Sequence, residues 1–237
     1  MMDAIIAELR RSSESRLCAP AGPDALRAID RLPLPAAHKE LLKRSNGIAV
    51  YHGYQRLFGV GCSGCTDLLR WDHEETWKFA WPMDLSRYLC FAEDGFGYQF
   101  AYDIEQLRRD GTSPVYWLAA LTMEVEPWWD SFERFLERNV LRWLHDPYGS
   151  AEVAAYHKHG DLPWGEQIAY CPSLLLGGRD GDVEHTMKMR ADVNMIINGD
   201  LFRQAGNELV ERPVRAVEPY VDEKGRQRLR VIWGDTA

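Results

Sequence analysis

Two cysteines with two residues between them head the chemical inventory of this 237-residue chain. Cys62-Ser63-Gly64-Cys65 has the gap that lets two thiolates grip one metal ion or form a redox pair. A zinc site needs further ligands, and His73, His157 and His159 are the side chains that folding could bring to it. No second Cys-x-x-Cys follows, however, and the histidines have no ordered ligand spacing, so ordinary thiols in a Gly-rich turn are the expectation. Five cysteines are an odd number, scattered over a chain long enough to fold without staples, and no structural disulfide is expected. Gly59, Gly61 and Gly64 satisfy Gly-x-Gly-x-x-Gly, but the Lys-Ser/Thr ending of a triphosphate loop is missing. Neither a long helix nor an acidic ribose partner follows them convincingly. The hydrolase elbow Gly-x-Ser-x-Gly does not occur. Any fold brings some of 36 acids together, so paired carboxylates point to no glycosidase. The sequence therefore singles out no catalytic, cofactor-binding or metal-binding residue, and an enzyme of unrecognised type stays open at this point.

Binding chemistry is better represented. From Asp67 to Trp81 the chain carries Trp71, Asp72, Glu74, Glu75, Trp77 and Trp81 with few balancing bases. Tryptophan buries a large rigid area while its indole N–H finds a polar partner, and surrounding carboxylates steer a basic ligand and set its orientation. These six residues are candidates for a partner-binding surface. The competing reading is that two of the three tryptophans are core and the acids a solvated face. Asp94 and Phe96 join the candidates as an acid and an aromatic at the tip of a hairpin loop, with an ordinary turn as the alternative. Trp128-Trp129 is expected to be packing, and Met187, Met189 and Met195 one buried strand face.

The elements that would hold these residues follow from periodicity and turn chemistry. Ile5, Ile6 and Leu9 suggest a helix that ends before Ala19-Pro20-Ala21-Gly22-Pro23, and Asp24 suggests the cap of a short helix through Asp30. Pro35 to Arg44 predicts a helix stopped by Asn46-Gly47. Ile48 to Phe58 predicts a strand kinked at Gly53, a short helix is expected at Asp67–Arg70, and a helix or an irregular stretch at Glu74–Ala80. Tyr88–Ala92 and Tyr98–Tyr102 predict a hairpin, Pro114–Leu121 and Thr122–Glu126 two more strands, and Trp128 to Leu144 a long helix with Pro127 at its entrance. A linker is expected at Pro147–Trp164, separating a domain at 1–146 from a β-rich extension at 147–237. In that extension Met187 to Ile197 alternates as a strand, Asp200 to Ala205 suggests one or two helical turns, and Pro213–Val221 with Gln227–Trp233 suggests a hairpin. The extension is expected to pack on the first sheet or to share it.

The composition, 46% hydrophobic and 27% charged, is that of a globular chain with a sizeable core. A net charge of -8 repels phosphate backbones and anionic lipid heads, so a basic protein is favoured over nucleic acid or a membrane as partner. Met1 to Arg10 carries Asp3 and Glu8 around a short apolar run, unlike a secretory signal, and no run approaches the ~18 apolar residues of a membrane span. A cytoplasmic protein is the expectation.

The order of these features resembles the SUKH superfamily, which includes bacterial immunity proteins and the yeast Smi/Knr regulators of cell-wall synthesis. The segments that carry the resemblance are "LPLPAAHKELLKRSNG", "LFGV", "YLCFAEDGFGYQFAYD", "SPVYWL" and "SFERFLE", spread between Asp24 and His145. Leu41–Gly47 and Leu89–Asp103 are its most specific parts, supported by Ser131–Glu137. "SLLLGG" at Ser173–Gly178 is similar to an extension on some longer bacterial members. The resemblance implies an α+β fold with helices packed on one antiparallel-rich sheet, no catalytic residues and no obligatory cofactor. It implies a cytoplasmic immunity protein that binds a cognate toxin protein, often a nuclease delivered by a type VI or contact-dependent route of a polymorphic toxin system, and neutralises it by occlusion. The eukaryotic relatives imply the alternative, a regulatory scaffold for endogenous partners.

Overall fold

The computed structural model of the chain describes residues 2–147, 151–205 and 213–234. Its framework is a seven-stranded antiparallel sheet whose strands lie side by side in chain order. Helix α1 (Met2–Arg11) leads into edge strand β1 (Arg16–Leu17), and helices α2 (Pro23–Arg31) and α3 (Ala36–Arg44) follow. Asp24 lies in the first turn of α2, where its charge suits the helix dipole, while Gly22 takes the cap position. After α3 the backbone turns through Gly47 at φ +117°. The expected kinked strand is instead a hairpin, β2 (Ile48–Val50) and β3 (Gln55–Leu57), because Tyr51, His52 and Gly53 all take positive φ and reverse the chain.

A long connection follows β3 and includes the four-residue helix α4 (Leu68–Trp71). It delivers β4 (Tyr88–Asp94), which pairs with β5 (Gln99–Asp103) in the expected hairpin. Helix α5 (Ile104–Asp110) connects β5 to β6 (Val115–Leu118), and β7 (Val125–Trp129) closes the sheet. Pro127 lies inside this edge strand and not at a helix entrance, a position where its missing N–H weakens no interior ladder. The closing helix starts later, capped by Ser131, and runs through α6 (Phe132–Phe135), a π-helical stretch (Leu136–Val140) and α7 (Leu141–His145). Trp128 is 49% exposed, so the expectation that the Trp128-Trp129 pair is packing fails for its first member.

Side chains alternate across the sheet and divide the molecule into layers. Phe91, Phe100 and Tyr102 meet Phe132 and Phe135 of the closing helix and His38 of α3. His38 is buried, stacks on Phe132 and pairs with the Tyr102 hydroxyl at 3.1 Å; burial lowers its pKa to about 3. The opposite face, carrying Arg56, Glu93 and Gln99, is covered by the connection after β3 and by the C-terminal third.

That third begins with α8 (Ala151–His159), where the linker was expected, and continues as β8 (Glu166–Tyr170) paired with β9 (Thr186–Arg190). The predicted strand at Met187–Ile197 ends at Arg190, and α9 (Ala191–Ala205) takes over. Period two holds only for the first half, since Ala, Asp and Met tolerate either backbone and Ala191, Met195 and Leu201 fit a helix face. Met187 is exposed while Met195 is buried in α9, so the three methionines are not one strand face. The expected terminal hairpin forms as β10 (Val214–Val221) and β11 (Gln227–Trp233). Ala155, Leu162, Ile168, Ala191 and Met195 enter the same apolar cluster as the seven-stranded sheet.

Candidate functional site

The acidic and aromatic stretch forms a strap over the sheet. Asp67 caps α4 by accepting from Arg70 N at 2.9 Å, which seats Leu68 and Trp71 in the core. A short 3-10 turn at Lys78–Ala80 follows, and the three tryptophans face inward. Trp71 is 6% exposed, Trp77 0% and Trp81 1%. Phe58, Trp71, Trp77 and Trp81 form an aromatic ladder with successive centroids 5.8, 5.8 and 5.5 Å apart. Trp71 Nε1 donates to Gln99 at 2.8 Å and Trp77 Nε1 to Trp71 O at 3.0 Å. As contact anchors these tryptophans are therefore misplaced: they are core, with the Trp71 and Trp77 indoles satisfied against the sheet and the neighbouring backbone, while the Trp81 N–H is buried in the stack without a hydrogen-bond partner.

The acids divide between interior and rim. Asp72 is half-buried and accepts from Lys78 Nζ at 2.5 Å and Cys90 N at 2.8 Å. Burial pushes its carboxyl up to about 6, against the pull of the Lys78 ammonium. Lys78 also donates to Tyr88 O at 2.6 Å. Glu74 and Glu75 are exposed, Glu75 lying 3.5 Å from Arg226 of the terminal hairpin. Between the strap and α9 runs a groove of about 670 Å³, lined by Asp72, Glu74, Lys78, Phe79, Met83 and Asp84 among others. Arg203 of α9 closes it from the far side and donates to the carbonyls of Phe79 and Trp81. Arg226 stacks on Phe79 at 4.1 Å, and Gly199 lets α9 approach Ala80, since a Cβ there would stand 2.6 Å from Ala80 O.

Asp94 and Phe96 do not join this groove. Their loop is covered by β8, with Ile168 N donating to Gly95 O at 2.7 Å, and both are buried. Phe96 stacks on Tyr170, while Asp94 accepts from Phe96 N and Tyr98 N at 2.9 and 3.0 Å. Burial and the nearby Glu152 charge hold the Asp94 carboxyl well above its ordinary range. The protruding tip expected from sequence is thus an internal turn.

Sequence reasoning missed Lys78, Met83, Asp84 and Arg203. The acidic character of the stretch continues past Trp81 to Asp84, and Lys78 is a rare base within it. Arg203 arrives from more than a hundred residues away and carries no local signal. The expectation of free thiols at Cys62 and Cys65 is also overturned: the two sulfurs are bonded, because the Ser63-Gly64 turn brings their Cα atoms to 6.0 Å. His73 and His157 are exposed and His159 bonds Thr186, so the histidines do not gather at these cysteines. Among the described residues no cluster of three His, Cys, Asp or Glu side chains is placed to hold a metal, and no helix is long and apolar enough to cross a membrane.

A crystal structure of Atu4351 from Agrobacterium tumefaciens shares this fold, with a TM-score of 0.53 over 94% of this chain and 96% of that one at 12% identity. The likeness extends past residue 146, so the C-terminal third is part of the shared architecture. No curated protein sequence matches the chain. The profile of the SMI1 / KNR4 family (SUKH-1) matches residues 27–138, the stretch from α2 through most of the closing helix, and fits a toxin-immunity or related protein-interaction role. With its meander sheet, its Asn-Gly stop after α3 and its β4–β5 hairpin, this region of the chain belongs to the SUKH superfamily.

Proposed function

We propose that the chain is a non-catalytic binding protein that neutralises a cognate bacterial toxin domain in the cytoplasm by covering its working surface. Family membership supports an interaction role, and the groove beside the strap carries the reading further. Its two cations are turned inward, Lys78 onto Asp72 and backbone carbonyls, Arg203 onto backbone carbonyls. The charge at its rim comes from Glu74 and Asp84, and Phe79 and Met83 supply apolar contact between them. A basic surface, such as that of a nuclease, matches this rim and the net charge of -8. On this reading Glu74 and Asp84 face the partner, whereas Asp72 anchors Lys78, Glu75 ties the strap to Arg226, and Trp71, Trp77 and Trp81 hold that side in place.

Coexpression tests the reading. A toxin domain encoded beside this chain should kill bacteria alone and fail to kill when the chain is present. Glu74→Lys combined with Asp84→Lys should weaken binding by roughly tenfold or more and make it less salt-dependent, with the circular dichroism unchanged. Equal killing in both cultures would remove the proposal.

A further inference from the structure

The Cys62–Cys65 pair has a third sulfur beside it. Cys18 follows β1 directly, its N–H donating to Gly47 O at 3.0 Å, and Cys65 Sγ lies 3.3 Å from Asn46 O in the same turn. A Cβ on Gly47 would meet Cys65 Sγ at 2.8 Å and Cys18 Sγ at 3.2 Å. A Cβ on Gly59 would meet Cys65 Sγ at 2.6 Å and Cys62 Sγ at 2.8 Å. Two glycines thus make the room in which three sulfurs gather, with Cys65 next to both of the others. All three cysteines are half-buried, and Cys62 and Cys65 line a second groove of about 570 Å³ together with Trp164 and Arg190. The sulfurs are therefore packed closely and still open to solvent. Neither the proposed partner groove nor the core uses them.

We infer that Cys18, Cys62 and Cys65 form a thiol–disulfide exchange site in which Cys65 is bonded to Cys62 in one isomer and to Cys18 in the other. In the exchange the Cys18 thiolate attacks Cys65 Sγ. The Cys18–Cys65 bond forms as the Cys62–Cys65 bond breaks, and the electron pair leaves on Cys62 Sγ. Cys62 takes up one proton for the one Cys18 lost, so nothing is oxidised or reduced overall. The product staples β1 to the loop before α4 and presents a free Cys62 thiol to the second groove, where its reaction partners would be small thiols or disulfides. Burial pushes the Cys18 thiol up, so the attacking thiolate is a minor form and exchange proceeds over minutes to hours.

Trypsin separates the two isomers cleanly. Cys18 falls in the peptide 17–27, whereas Cys62 and Cys65 share the peptide 57–70. Full-length protein is incubated with oxidised glutathione, acid-quenched, blocked with N-ethylmaleimide, digested and read by mass spectrometry. The Cys62→Ser variant should show 17–27 cross-linked to 57–70 in most molecules, with glutathione released. The unaltered protein should show the same cross-link in a few per cent of molecules or more after trace reduced glutathione is added. Cys18 and Cys65 recovered as separately blocked or glutathionylated thiols in a folded Cys62→Ser protein would overturn the inference. So would the absence of any cross-link in the unaltered protein after a day.

Discussion

Glu93→Gln removes one charge and almost no volume, and the surroundings of Glu93 set the size of its effect. Glu93 and Arg56 sit opposite each other on β4 and β3, both fully buried, with Arg56 NH2 3.1 Å from Glu93 Oε1. The second oxygen, Oε2, accepts from Gln167 Nε2 at 2.6 Å and from Gln99 Nε2 at 3.4 Å. Arg56 NH1 donates to Pro163 O at 2.8 Å. One carboxylate oxygen therefore faces the guanidinium as an ion pair without hydrogen-bond geometry, and the other accepts from two amides. A glutamine has one oxygen, so its amide group must face either the Arg56 guanidinium or the Gln167 amide as donor against donor. The guanidinium is also left buried without a counter-charge, which costs about 3–5 kcal/mol. With a urea slope of about 3 kcal/mol/M for a chain of this size, the midpoint should fall by about 1–2 M. Tryptophan fluorescence and far-UV dichroism should report the same lowered midpoint, because Pro163 and Gln167 come from the C-terminal third and Arg56 and Glu93 from the sheet. Adding Arg56→Met should recover part of the loss, with a coupling energy of about 2 kcal/mol. A Glu93→Gln midpoint within about 0.2 M of the unaltered protein would refute the account of this network.

Trp77→Ala should cost about 3–5 kcal/mol of unfolding free energy by urea titration, since the indole is fully buried between Trp71 and Trp81; a loss under ~1 kcal/mol would contradict its place in the ladder. Gly59→Ala should cost about 1–3 kcal/mol in thermal unfolding, because the new methyl would stand 2.4 Å from Asn46 O, a backbone atom with little freedom to move. Asp72 binds its proton more tightly folded, near pH 6, than unfolded, near 3.8, so its ionisation opposes folding. The stability it contributes is full below about pH 4 and is lost as pH rises to about 6, and Asp72→Asn should flatten that part of the profile by about 2–3 kcal/mol; identical slopes in the two proteins would count against it.

The sheet was legible where local chemistry decides the backbone. Asn46-Gly47 forces a reversal after α3, and the two glycines between Tyr88–Ala92 and Tyr98–Tyr102 permit only a tight loop. The β2–β3 hairpin was hidden because its turn, Tyr51-His52-Gly53, contains one glycine and two residues that rarely take positive φ. Helix α9 was hidden because a strand's alternation ends at Arg190 without a proline or glycine to mark the change. In the strap, residue types were read correctly and their direction was not: carboxylates beside tryptophans are equally consistent with an exposed anchor and with a core ladder. The choice between them depends on Gln99 and the sheet face, which no local pattern reveals.

The burial of the tryptophans strengthens the case for the groove as a binding surface. An exposed strap of fifteen residues with only a four-residue helix and one 3-10 turn would have to be ordered on association, at a conformational cost subtracted from affinity. Here the ladder of Trp71, Trp77 and Trp81 fixes the backbone from below, and the C-terminal third fixes it from the side through Arg203, Arg226 and the close approach at Gly199. The same third also covers one edge of its terminal hairpin: Asp200 and Gln204 of α9 bond Leu229 N, Leu229 O and Val231 N of β11. The extension thus acts as a buttress, and Glu74 and Asp84 are carried on a surface whose geometry is set before a partner arrives.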